Sequence, residues 1–77
     1  MDHSPAQELA DKVAASILRS GRKKAAVASA AGIPQTTFNR KINGHTEFTF
    51  GELLRIAQAI DVPPSTFTPQ AFLSAVA

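Results

Sequence analysis

Large apolar residues along this chain recur at helical intervals, and no segment alternates as a half-buried strand would. Leu9, Val13 and Ile17 stand four apart, with Ala10, Ala14 and Leu18 beside them, so one stripe of the first segment faces a core. Ser4-Pro5-Ala6-Gln7 opens that helix: Ser4 can cap, Pro5 suits the first helical position, and Gln7 completes a capping box. Ser20-Gly21 ends it. A second, shorter helix is predicted from about Lys23 to Ala31, in "KKAAVASAA", where Val27 is the one large apolar residue. So much alanine lets a helix approach its neighbour closely. Gly32 stops it, and Ile33 before Pro34 is biased to extended backbone, so residues 32–34 form a tight turn. A third helix runs from about Gln35 to Asn43 and is closed by Gly44, with Phe38 and Ile42 together on its inner face.

Thr49-Phe50-Gly51-Glu52 is another capping box and starts a fourth helix through "ELLRIAQAI". Its stripe is Leu53, Ile56, Ala57 and Ile60, with Leu54 and Phe50 at the margin; Phe48, Phe50 and Phe67 read as core. The run Asp61-Val62-Pro63-Pro64 stops it. Thr68-Pro69 then begins a short fifth helix over about 68–76, whose Phe72, Leu73 and Val76 either cap the core or pair two subunits. The prediction is an all-α fold, a compact bundle of four to five short helices forming a single domain over residues 1–77.

Composition narrows the function. The apolar fraction of 44% overstates the core, because fourteen residues are alanine. With no cysteine there is neither a disulfide nor a thiolate metal site. His3 and His45 are isolated, so no metal site is expected, and nothing points to a cofactor. No glycine-rich phosphate loop, carboxylate pair or Ser-His-acid grouping stands out, so an enzyme is not expected. No apolar run approaches the roughly 20 residues that span a membrane, and an N-terminus with Asp2 and Glu8 is no signal peptide. A soluble, cytoplasmic protein is the expectation.

Net charge is only +2, but it is unevenly spread. Lys12 against Asp2, Glu8 and Asp11 leaves residues 1–18 at −2; Arg55 against Glu47, Glu52 and Asp61 leaves residues 46–77 at −2. Between them Arg19, Arg22, Lys23, Lys24, Arg40 and Lys41 give +6 with no acid. A solvated surface also needs charge, but a basic centre between acidic flanks favours a polyanion partner.

At about 100° per residue, the third helix puts Arg40 opposite Phe38 and Ile42, with Thr36 near it and Gln35, Asn39 and Asn43 in the arc between. Thr37 and Lys41 form the other flank. Amide, hydroxyl and guanidinium groups of this kind pair with base edges in a DNA groove.

Two helices joined by a tight glycine turn describe a helix-turn-helix. "KAAVASAAGIPQTTFNRKI" has small Ala28 where the first helix lies on the second, and Gly32 where the turn needs a left-handed backbone. Ile33 and Phe38 stand where the pair packs on the core, and the capped helix "TFGELLRIAQAIDVP" follows. Over about residues 9–67, with the motif itself at about 23–43, the chain resembles the Cro/cI-type (lambda-repressor-like) helix-turn-helix family, in particular small phage and actinobacterial-style regulators.

The resemblance implies base reading by Gln35, Thr36, Thr37, Asn39 and Arg40, in the first part of the third helix. Phosphate contacts then fall to Arg22, Lys23, Lys24, Lys41, Asn43 and His45 at the rim. It further implies a sequence-specific, double-stranded DNA-binding transcriptional regulator, a Cro/cI-like repressor of an operator in a bacterial or phage-infected cell. Dimerisation on a palindrome is common in that family; for this chain a homodimer through the C-terminal helix is one expectation and a monomer the other. The sequence departs from the family pattern at Lys41, where an apolar residue is usual. Ile42 supplies that contact instead, which implies a third helix rotated slightly about its axis. It departs again at Lys24, where many members carry a phosphate-touching glutamine. A second reading is a protein-interaction module of antitoxin or anti-repressor type, using the bundle and its apolar C-terminal helix.

Overall fold

Helix α1 occupies Pro5–Ser20, α2 Lys24–Ala30, α3 Gln35–Ile42 and α4 Phe50–Ala59, followed by a 3-10 turn at Pro64–Phe67, in a computed structural model that describes residues 5–67. The Ser4 cap and the helix expected over 68–76 lie outside the described residues. Helix α2 starts one residue later than the sequence suggests, with Lys23 as an extended N-cap whose side chain caps nothing. Helix α3 ends one residue earlier than expected, at Ile42, with Asn43 as its C-cap.

Three helices stop in the same way. After α2, Gly32 takes φ +70° and the amides of Gly32 and Ile33 return to the carbonyls of Ser29 and Ala28, at 3.1 and 2.9 Å. After α3, the amides of Gly44 and His45 return to Lys41 and Arg40, at 3.1 and 2.9 Å, and after α4 those of Asp61 and Val62 return to Gln58 and Ala57, at 3.3 and 3.0 Å. This Schellman pattern pairs helix-end carbonyls that would otherwise lack partners and needs a left-handed residue at its centre. Gly44, at φ +82°, fills that left-handed position, and a β-carbon there would also make the Gln7 side chain of α1 move aside. At Asp61, with φ +61°, a side chain occupies the left-handed position.

Helix α1 packs on α3 and the 3-10 turn, α2 on α3 and α4, and α4 on the 3-10 turn as well. Val13, Ile17, Val27, Phe38, Ile56 and Phe67 are the large side chains fully withdrawn from water. Ala28 and Ala57 are also fully buried, which fits the close approach of α2 and α4. Phe38 and Phe48 meet edge to face, with centroids 6.0 Å apart. The 3-10 turn, which the sequence does not announce, carries Phe67 into this core.

Two apolar residues expected inside are outside. Leu18 is 81% exposed, because the buried face of α1 runs through Ala10, Val13, Ile17 and the small Ser16, and so turns away from residue 18. The Ser16 hydroxyl is satisfied by Arg19 Nη2 at 3.3 Å. Phe50 is 73% exposed: it is the first residue of α4, where a side chain leans back beyond the helix end. Phe48 takes the core place beside Phe38 instead.

The capping box at the start of α4 is complete, with Thr49 Oγ1 accepting from the Glu52 amide at 3.1 Å and Glu52 Oε1 accepting from the Thr49 amide at 2.7 Å. The same Oε1 receives the Lys41 ammonium of α3 at 2.5 Å, and both side chains are 13% exposed. Burial alone raises the Glu52 carboxyl. The Lys41 hydrogen bond, the Thr49 amide, the Lys41 charge and the Thr49 hydroxyl together outweigh it, so the group lies below its ordinary 4.5.

Two tests follow. Asp61→Gly should stabilise the fold by about 1 kcal/mol, by removing a left-handed side chain and an acid from a helix C-terminus; urea melts read the change. A carboxyl depressed in the folded state contributes stability that is present above its unfolded value and is lost as pH falls through the folded one. The urea midpoint should therefore drop on acidification from about pH 6 to about pH 3, and drop less in Glu52→Gln. Equal drops in both proteins would remove Glu52 from this role.

Candidate nucleic-acid interface

Helix α3 is held at its start by its own first side chain. Gln35 Nε2 donates to the Ala25 carbonyl at 2.9 Å, tying the beginning of α3 to the first turn of α2. Behind it, Arg55 Nε of α4 donates to the Ala31 carbonyl at the C-cap of α2, at 2.7 Å. With Phe38 at 0% and Ile42 at 6% exposure turned inward, the rest of α3 is presented outward. Gln35, Thr36, Asn39 and Arg40 are exposed, and Thr37 is half-buried at the flank. Of the five expected base-reading residues, four therefore share one open face.

The expected phosphate residues divide into four groups. Lys23 and Lys24 stand exposed at the start of α2 and make no ion pair among the described residues. A pair of cations at a helix N-terminus opposes the helix dipole by a few tenths of a kcal/mol each, a penalty that a bound anion reverses. Asn43 and His45 are exposed at the far end of α3, where the Asn43 side chain donates to the Asn39 carbonyl at 2.8 Å. Arg22 is exposed too, but its guanidinium donates to the Ala59 carbonyl at the end of α4, at 2.5 Å. An arginine carries five N–H donors, so this bond leaves others for solvent or a ligand.

Lys41 belongs to neither rim nor open face. It is half-buried, and its ammonium is paired with the Glu52 carboxylate, unlike the exposed cations expected at the rim. Ile42, buried on the inner face of α3, makes the core contact. Residues 19–45 thus present less free charge than their count suggests. Sequence reasoning missed Glu52 as a partner of α3 and Arg55 as a clamp on α2. Their spacings of 11 and 24 residues match no local rule, and only the capping role of Glu52 had a signal.

The surface hollows lined by Glu8, Asp11, Lys12 and Ala15, and by Ser16, Arg19, Ile60, Val62 and Thr66 among others, include no residue of α2 or α3. Among the described residues no helix is long and apolar enough to cross a membrane. Compared with known proteins, the chain matches no curated protein and no solved structure. Against family profiles, residues 17–68 match the Cro/C1-type HTH DNA-binding domain. That match takes in α2, the turn, α3 and α4, so the chain belongs to the Cro/C1-type helix-turn-helix DNA-binding family.

Proposed function

We propose that this DNA-binding regulator is a sequence-specific, phage-type repressor of the Cro/cI kind. In this reading α3 lies in the major groove of an operator duplex and α2 crosses the sugar-phosphate backbone. The observation that carries it is the acid-free face of Gln35, Thr36, Asn39 and Arg40, exposed together while their helix is fixed from behind. Arg40 pairs best with guanine, Gln35 and Asn39 with adenine, and Thr36 with a thymine methyl or a polar edge. The Gln35 amide nitrogen is already committed to Ala25, which sets the direction in which the rest of that amide meets a base. Lys23, Lys24, Arg22, Asn43 and His45 take the phosphates, and Thr37 reaches the base edges from the flank. Occupying the operator then excludes polymerase, in a bacterial or phage-infected cytoplasm.

The second reading is a module that binds a protein partner, for which Leu18 and Phe50 are the exposed large apolar side chains among the described residues. Salt separates the two. DNA binding should weaken with added salt at a log–log slope of about 0.9 per phosphate neutralised, whereas docking through apolar side chains should be nearly indifferent. Arg40→Ala should lose about 1–3 kcal/mol on the preferred duplex and relax selectivity at one base pair. Binding titrations on a duplex enriched from a random pool measure both. Wild-type affinity in Arg40→Ala and Thr36→Ala would mean that α3 does not read the bases.

A further inference from the structure

The Lys41–Glu52 pair is the one ion pair among the described residues, and it joins the last turn of α3 to the first turn of α4. Lys41 follows Arg40 directly and lies on the same flank of α3 as Thr37, one turn before it. A flexible four-carbon stem from that position could carry an ammonium to the edge of the reading face. Glu52 prevents this, since its Oε1 is fixed by the Thr49 amide and stands 2.5 Å from Lys41 Nζ. The carboxylate therefore does two things to α3: it restrains the helix against rotation about its axis, and it withholds one cation from the open surface.

We propose that Glu52 is a positioning residue for DNA recognition, which sets the rotation of α3 through Lys41 and keeps that lysine off the phosphates. The inference rests on the DNA-binding reading above. Phosphate cations strengthen binding to every sequence alike, while base contacts discriminate. Withholding one cation lowers attachment to wrong sites, and fixing the rotation keeps Gln35, Thr36, Asn39 and Arg40 in register with the bases. One extra phosphate contact corresponds to a slope change of about 0.9, or roughly 3.5-fold in affinity between 50 and 200 mM salt.

Wild type, Lys41→Met, Glu52→Gln and the double variant test this on two probes, a duplex enriched by the wild type from a random pool and a shuffled duplex of equal length. Glutamine also serves at this position of a capping box, so Glu52→Gln removes the charge while keeping the start of α4. Lys41→Met should keep the wild-type salt slope. Glu52→Gln should steepen the slope on the shuffled duplex by about 0.9 and reduce the preference for the enriched duplex about five-fold or more. The double variant should return to the wild-type slope, because the added contact belongs to Lys41. A slope shallower by about one in Lys41→Met would overturn the proposal, as it would place the lysine on a phosphate already; so would an unchanged slope in a folded Glu52→Gln. If Glu52→Gln does not fold, Lys41→Met alone decides. A wild type that retains no duplex at low salt defeats the DNA reading and this inference together. A wild type that binds while Lys41→Met loses slope defeats only the inference.

Discussion

Burial of Phe38 is what makes α3 a helix at all. The segment has eight residues, and an isolated helix of fewer than about 12–15 residues is marginal in water. It lasts because Phe38 is fully buried and meets Phe48 edge to face, with Ile42 buried one turn later. Truncating a buried phenylalanine to alanine typically costs about 3–5 kcal/mol, whereas an ion pair as shielded as Lys41–Glu52 gains little net, because desolvation offsets much of its attraction. The apolar anchors therefore hold α3 to the molecule. The polar bonds at its two ends, Gln35 to Ala25 and Lys41 to Glu52, decide which way it faces.

The cations of this small domain are divided between support and surface. Arg22 and Arg55 donate to carbonyls at the C-terminal ends of α4 and α2, where positive charge also complements the helix dipole. Lys41 is neutralised by Glu52. Lys23, Lys24 and Arg40 remain exposed, the lysines against the dipole of α2 and Arg40 on the outer face of α3. Counting bases along the sequence marked residues 19–45 as the basic region of the chain. It could not separate the charges that build the region from those that face outward, because that depends on which carbonyls and carboxylates the fold brings near.

Local chemistry was the legible part. The Thr49–Glu52 box, the left-handed turns at Gly32 and Gly44, and the Phe38–Ile42 anchor all rest on residues within a few positions of one another, where backbone geometry leaves few alternatives. The outward set on α3 followed from those anchors by subtraction. What the periodicity misjudged lay at helix ends and edges. Leu18 continues the apolar stripe of α1 on paper, yet the small Ser16 allows the buried face to run on its other side. Phe50 has the right spacing from Ala57, but α4 begins at Phe50 and no packed turn precedes it. The 3-10 turn at Pro64–Phe67 is too short for any period to show.

The choice of lysine at position 41 has a physical meaning that stability alone does not supply. Well-packed apolar residues commonly replace a shielded ion pair without loss, since desolvation cancels much of the attraction. An apolar side chain there would hold α3 down as firmly, but its contacts would tolerate small rotations of the helix, because dispersion has little directional preference. A lysine bonded to a carboxylate that is itself fixed by a helix cap tolerates much less, since a hydrogen bond weakens steeply as its geometry departs from optimal. The cap at Thr49 thereby orients Glu52, Glu52 orients Lys41, and Lys41 orients a helix whose opposite face carries the exposed Thr36, Asn39 and Arg40.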